Sequence, residues 1–387
     1  MKNFQLISTI ALIVSLSACN QQTDTTDLIT IDVETKYPEK KLMLQDFADV
    51  EYIALETTDE FINKGIVGAI GEKYIAITNA GSEGTIFLYD RKTGKGIRKI
   101  NRKGQGGEEY TLLTEIILDE EQNEMFVLDY PKQNILVYNL EGNFLRHFKF
   151  VENSYYNFTF NYDKNHLLTY KGYSPHTESE KSAHILISKQ DGSIIREFNF
   201  PYKEIKTPVY TGMHEKYGEV VVSPMYFLTT HGNDNDWYMT RSSSDTLYHC
   251  LADGSIHPCI VRTPAIHEMN PEIFLFPFMM TDRYMFVQTL EKKVNKSRLS
   301  YPSPTMLGYD KEEKAIFQFS FYNADYPEKA MSFYTFPKDK VMMYQSLQAS
   351  ELIEAYQSDK LKGKLKEITA TLDEDSNAVI ALIKHRK

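Results

Sequence analysis

An all-β, six-bladed β-propeller of four-stranded antiparallel blades, with a small helical insertion before the closing strand, is the architecture this sequence predicts. Three observations predict it. Short strand-like runs alternate with Gly, Asn, Asp and Lys along nearly the whole chain. Helical patterns are absent until its end. A unit of four strands in about 45 residues recurs, the size of one propeller blade. The 387 residues would by length alone suit two or three domains, and two separate β domains are the competing arrangement, but a single large all-strand domain is also allowed.

The chain opens with Lys2 and an apolar run from Leu6 to Leu16, too short for a comfortable spanning helix and shaped like a secretory signal. It ends in Leu16-Ser17-Ala18-Cys19, which resembles the bacterial lipobox. That resemblance implies that residues 1–18 are a signal peptide, that Cys19 is lipidated as the first mature residue, and that the protein is lipid-anchored at the outer membrane, on its periplasmic or its surface side. Residues 19–27 hold no core-forming side chain and read as a flexible tether. Residues 28–387 are then the propeller.

Strand-like runs follow at Val50–Leu55, Gly65–Ile70, Tyr74–Ile77, Thr85–Tyr89, Gly96–Ile100, Glu115–Leu118, Met125–Leu128, Ile135–Tyr138 and Phe144–Phe148. The clearest unit has a strand ending at Asp129, the turn Tyr130-Pro131-Lys132-Gln133, the strand Asn134–Tyr138, the turn Glu141-Gly142-Asn143 and the strand Phe144–Phe148. Its outer hairpin recurs as Thr85–Tyr89 with Gly96–Ile100, His184–Ser188 with Ser193–Phe198, Thr246–Cys250 with Ser255–Val261, and Thr305–Tyr309 with Lys314–Phe319. A further inner pair falls near Met331–Phe336 and Lys340–Tyr344. Leu28–Val33 and Val379–Ile383 are the candidate strands that complete this sixth blade from the chain ends, removing open sheet edges. The helical segment lies at about 350–371: a turn capped by Ser350, then Ser358–Thr371 with Leu361, Leu365 and Ile368 on one face.

A net charge of −10 argues against a nucleic-acid partner, which calls for a basic face. It also argues against electrostatic attachment to anionic lipid. The 26 tyrosines and 22 phenylalanines suit large packed sheets.

The glycine-rich loop Gly104–Glu109 lacks the Lys-Ser/Thr ending and the following helix of a phosphate loop, and Glu108 and Glu109 would repel phosphate. It reads as a turn between blades that can line the central channel, where Arg102, Gln105, Glu109 and Tyr110 offer both charge signs and a ring. Tyr130 and Trp237 are either core residues or sugar-stacking faces. His214, His231 and His267 read as loop histidines. The oxygen-rich Asn233-Asp234-Asn235-Asp236 could hold calcium but lacks a complete ligand spacing. Otherwise no cofactor is expected. Cys250 and Cys259 flank the turn Asp253-Gly254 and are a candidate disulfide across a hairpin. A zinc set of His249, Cys250, His257 and Cys259 is weakened because adjacent strand residues point to opposite faces. No serine nucleophile elbow or metalloprotease helix is present.

Four stretches carry a family resemblance: Asp49-Val50-Glu51-Tyr52-Ile53-Ala54-Leu55-Glu56-Thr57, Arg102-Lys103-Gly104-Gln105-Gly106-Gly107-Glu108-Glu109-Tyr110, Ser244-Asp245-Thr246-Leu247-Tyr248, and Leu372-Asp373-Glu374-Asp375-Ser376-Asn377-Ala378-Val379. Together they make nearly the whole mature chain resemble the NHL-like six-bladed propeller lipoproteins of Bacteroides and related gut bacteria. There are two departures. Gly107-Glu108 stands where relatives often have proline then glycine, and Ala378 replaces the proline of an Asn-Pro-Val closing strand. The resemblance implies that the first stretch belongs to the first blade, and that the protein is an extracytoplasmic binding or accessory protein for a glycan or an envelope protein. The competing function is a hydrolase or lyase acting on a carbohydrate or lactone, with residues gathered in the channel from distant loops.

Overall fold

The structure, a computed structural model, describes residues 28–173, 178–232, 236–331 and 341–386. The expected signal segment, the tether and Cys19 lie outside the described residues. So do Asn233, Asp234 and Asn235, and most of the expected strand Met331–Phe336.

Three four-stranded antiparallel sheets come first. Blade one is Ile66–Ile70, Tyr74–Thr78, Thr85–Asp90 and Gly96–Asn101. Blade two is Glu115–Asp119, Glu124–Asp129, Asn134–Asn139 and Phe144–Lys149. Blade three is Tyr155–Asn161, His166–Gly172, Ala183–Ser188 and Ile194–Phe198. A separate hairpin, Tyr210–His214 with Gly218–Val222, precedes blade four, which is Thr229–His231, Trp237–Met239, Thr246–Cys250 and Ile256–Thr263. Blade five is Ile273–Met280, Tyr284–Glu291, Thr305–Asp310 and Ala315–Asn323. Blade six combines both chain ends: Val341–Leu347, Val379–His385 and the early strand Ala48–Ala54. First strands touch between blades one and two, two and three, and four and five, blades three and four share a core, and the strand Val341–Leu347 meets both blade five and blade one, which closes the ring.

The outer hairpins form where the turn residues predict them. In blades one to four the turn places Gly94, Gly142, Gly192 and Gly254 at φ between 71° and 85°, a left-handed conformation that costs glycine little. In the fifth blade Lys314 takes this conformation.

Two strand assignments differ from expectation. Leu28–Val33 does not complete the last blade: Ile29–Asp32 runs parallel to Ile256–Thr263 as an extra outer strand of blade four. The stretch beginning at Asp49 sits in the closing sheet rather than in the first, antiparallel to Val379–His385. Between them Glu39–Met43 adds a parallel strand outside Ala315–Asn323 of blade five. The N-terminal segment is thus a strap over successive blade edges. The covered edges explain it. Ala315–Asn323 has no charged residue, and Ile256–Thr263 has only Arg262, which is buried. The uncovered outer strands of blades one to three carry Arg98 and Lys99, Arg146 and Lys149, and Arg196, charges that discourage edge-to-edge pairing. Deletion of residues 28–43 is therefore expected to shift the protein to larger oligomers or aggregates on size exclusion with light scattering. A deletion variant that elutes with the same chain count as the undeleted protein would contradict this role.

Each blade interface has its own core, because alternate strand residues face opposite neighbours. Ile75 and Ile77 face blade six, whereas Ala76 between them faces blade two. The helical insertion consists of Ala349–Gln357 and Gly363–Thr369. The first helix starts at Gln348 without a side-chain cap, so Ser350 is not its cap. The second is shorter than the apolar pattern suggests. Leu352, Ala355, Leu361 and Leu365 pack on Val379 of the closing strand. Asn377 fastens the same strand: its side chain donates to the carbonyls of Glu56 (2.8 Å) and Phe61 (2.5 Å) and accepts the amide of Asn63 (3.0 Å).

Candidate functional site

The loop from Arg102 to Tyr110 leaves the outer strand of blade one and leads into blade two. It is fastened from below. The Tyr110 hydroxyl donates to Gly84 O (2.6 Å) and accepts the Arg102 amide (3.0 Å). The Tyr138 hydroxyl donates to Glu108 O (2.7 Å). Lys132 Nζ donates to Gly106 O (3.0 Å) and Glu109 O (2.8 Å). The Gly106 amide donates to Glu109 Oε2 (2.8 Å). Arg102 Nε donates to Gly142 O (2.7 Å). Above this bracing lies an open groove of about 510 Å³, walled by Arg102, Gly106, Gly107, Glu108, Glu109, Asn143 and Phe144. A loop held rigidly by its scaffold while presenting polar groups outward is the usual construction of a binding surface.

Of the residues expected at a ligand face, the structure brings only Arg102 and Glu109 together in this groove. Gln105 is exposed on the same loop, away from the groove wall. Tyr110 is fully buried between blades one and two. Tyr130 packs against the core between blades two and three and donates its hydroxyl to Tyr156 O, and burial pushes its pKa up. Trp237 lies between blades three and four, stacked on Tyr162 at 5.7 Å between ring centroids. A sugar cannot reach a ring face already covered by protein. Gly107 belongs to the glycine-rich loop, whereas Phe144, which completes the groove, carries no sequence motif of its own. The turn Glu141-Gly142-Asn143 that precedes Phe144 was the available signal.

Phe158 stands on the first strand of blade three, in a bulge at φ 55°, a left-handed conformation that is uncommon for a bulky residue. Its ring meets Phe227 at 5.8 Å and packs against the cluster that includes Phe278 and Met279 of blade five and Met342 and Met343 of blade six. Phe227 precedes the first strand of blade four, so this contact ties blade three to its neighbour at the edge of that cluster. Nearby, Thr230 Oγ1 donates to Phe278 O (3.2 Å), and His231 Nε2 lies 3.3 Å from Val341 O. His231 is thus a buried strand residue rather than a loop histidine. His214 lies at the end of a hairpin strand and His267 in a short 3-10 turn.

The disulfide expectation is corrected. Cys250 and Cys259 are free, buried thiols. The register sets Cys250 opposite Ile256. Cys250 packs between blades three and four, Cys259 between blades four and five, so the thiols occupy opposite faces of one sheet. The four residues of the zinc set therefore do not converge. His249 instead stacks on Tyr238 at 4.4 Å and contacts Asp236 Oδ2 at 2.9 Å. Among the described residues no group of three or more His, Cys, Asp or Glu side chains is placed to hold a metal ion.

One charged cluster escapes motif reasoning. Glu178 and Arg241 form an ion pair with side chains only 3% and 5% exposed. Arg241 lies 4.0 Å over the Tyr202 ring, and Ser243 donates both N (3.1 Å) and Oγ (3.2 Å) to Glu178 Oε2. Burial pushes the Glu178 carboxyl above the usual carboxylate range, against the pull of Arg241.

Comparison with known proteins follows the fold. The crystal structure of a Bacteroides fragilis protein designated as exported aligns with a TM-score of 0.59 at 16% identity, covering 93% of this chain and 100% of that one. A DUF4221 family member from Bacteroides vulgatus aligns with a TM-score of 0.49 at 12% identity, covering 89% and 99%. No functionally curated protein matches the sequence. Residues 28–384 match the family described as domain of unknown function DUF4934, and the chain belongs to that family.

Proposed function

We propose that this protein is an extracytoplasmic binding or accessory protein, tethered by lipid on Cys19, that holds a glycan or an envelope protein on the outer surface of its propeller. The open polar groove over the joint between blades one and two carries this reading. Phe158, Phe227, Met342 and Met343, on or beside the first strands of blades three, four and six, lie in or against one apolar cluster. The designation of a structurally similar Bacteroides fragilis protein as exported and the lipobox-like Leu16-Ser17-Ala18-Cys19 support the location.

The test has two parts. The purified mature protein is incubated with host and plant glycans and with lactones, and both retention and products are followed by mass spectrometry. Retention without new products is expected, and turnover of any of them would favour the channel hydrolase or lyase. Labelled palmitate, supplied to bacteria expressing the full chain, is expected to enter the wild type and not Cys19→Ser. Equal labelling of the two would remove the anchor.

A further inference from the structure

Gly107 is a glycine that the fold does not require. Its φ lies outside the left-handed region, and a Cβ added there meets no atom within 4 Å. Its neighbours differ: a Cβ on Gly104 would approach Glu109 Oε2 to 1.9 Å and one on Gly106 to 3.1 Å. A glycine free of conformational and packing demands, set in a groove wall, is what close approach of a ligand to the backbone calls for.

The groups around it are complementary to one chemical class. Arg102 is held by Nε on Gly142 O, and among the described residues no hydrogen bond or ion pair engages its two Nη groups. Glu109 is held by one oxygen on the Gly106 amide, and Glu108 is exposed beside it. The guanidinium of Arg102 and the Glu109 carboxylate are therefore positioned before a ligand arrives, which lowers the ordering cost of binding. The half-buried ring of Phe144 supplies an apolar face on the same wall. A simple anion would face two carboxylates, and a simple cation would face a guanidinium. A neutral ring with adjacent hydroxyls, each able to donate and to accept, satisfies both and can lay its C–H face on Phe144.

We propose that the groove of Arg102, Gly107, Glu108, Glu109 and Phe144 is a binding site for a neutral pyranose sugar. The assignment deepens the surface-binding function proposed above and rests on it. The test is saturation-transfer difference NMR on the mature protein, with glucose, galactose, mannose, N-acetylglucosamine and their 1,4-linked disaccharides as probes. Glucuronate and free phenylalanine serve as the charged competitors. Gly107→Leu and Glu108→Ala are the variants, and the melting temperature of each is measured alongside. Transfer to the ring C–H protons of a neutral sugar is expected, at least about tenfold weaker in Gly107→Leu and reduced in Glu108→Ala, with both variants melting as the wild type does. Preference for glucuronate or phenylalanine overturns the ligand class. Undiminished sugar binding in both variants overturns the groove while leaving surface binding in place. No transfer to any sugar overturns the saccharide assignment. Sugar turnover would instead overturn the function beneath it.

Discussion

Glu178→Ala is expected to destabilise the protein by about 3–5 kcal/mol, the usual cost of leaving a buried charge without its partner. Arg241 would keep its stacking on Tyr202 and its 2.9 Å bond from Nη2 to Ser179 O, but its guanidinium would lose the carboxylate in a place water does not reach. Arg241→Ala is expected to cost a similar amount, since Glu178 would then be buried with only serine donors. The double variant Glu178→Gln with Arg241→Met removes both charges and is expected to be more stable than either single alanine variant. Urea unfolding of the four proteins measures this. The pair joins the connection before the third strand of blade three to the end of the strand Trp237–Met239 in blade four, so its loss should also loosen that interface. A cost below about 1 kcal/mol for both singles would mean that the pair behaves like an exposed salt bridge.

Acidification is expected to produce the second large effect. His184 is fully buried, with Nε2 2.7 Å from Thr240 O and Nδ1 3.0 Å from Thr229 Oγ1, contacts suited to a neutral ring that donates at Nε2 and accepts at Nδ1. Burial lowers its pKa from 6.5 to about 4. His385 on the closing strand is likewise lowered to about 4, by burial first and by His231 second. In the unfolded chain both rings would take up a proton near pH 6.5, whereas the folded chain keeps them neutral. Stability from these groups is therefore complete above about pH 6.5 and falls as pH drops toward 4, because the unfolded state binds more protons there. For His184 the loss amounts to roughly 3 kcal/mol, and for the partly exposed His385 it is smaller. Thermal melts from pH 7.5 to 4 should show this decline, and His184→Gln should flatten part of it. A melting temperature that holds steady across this range in the wild type would contradict the neutral buried histidines.

The sequence made the propeller legible chiefly through its turns. Gly142, Gly192 and Gly254 mark hairpins that reverse within four or five residues, and periodicity supplies the strands between them. What stayed hidden depends on which blade a strand joins. Leu28–Val33 has the apolar pattern of any strand, and nothing local shows that it pairs in parallel with the fourth blade rather than closing the sixth. Tyr110, Tyr130 and Trp237 illustrate the same limit: an aromatic residue beside a loop reads as a ligand platform or as core, and only the neighbouring blade decides. Cys250 and Cys259 flank a turn, but the register and the alternation of faces separate them. Phe158 was invisible because a bulge leaves no mark in Tyr155-Tyr156-Asn157-Phe158-Thr159-Phe160, where aromatic and polar residues merely alternate. Glu178 and Arg241 are far apart in sequence and belong to no motif. The groove was half legible, since the glycine-rich loop stood out, whereas its aromatic wall comes from the next blade.

The most direct test of surface binding is a crystal structure of the mature protein soaked with the neutral sugars and calcium. Sugar density against Phe144 and Gly107, with Phe158 still packed on Phe227, is the expected result. A sugar or metal ion held in the central channel, with acidic side chains converging on it, would contradict surface binding and favour catalysis at the centre.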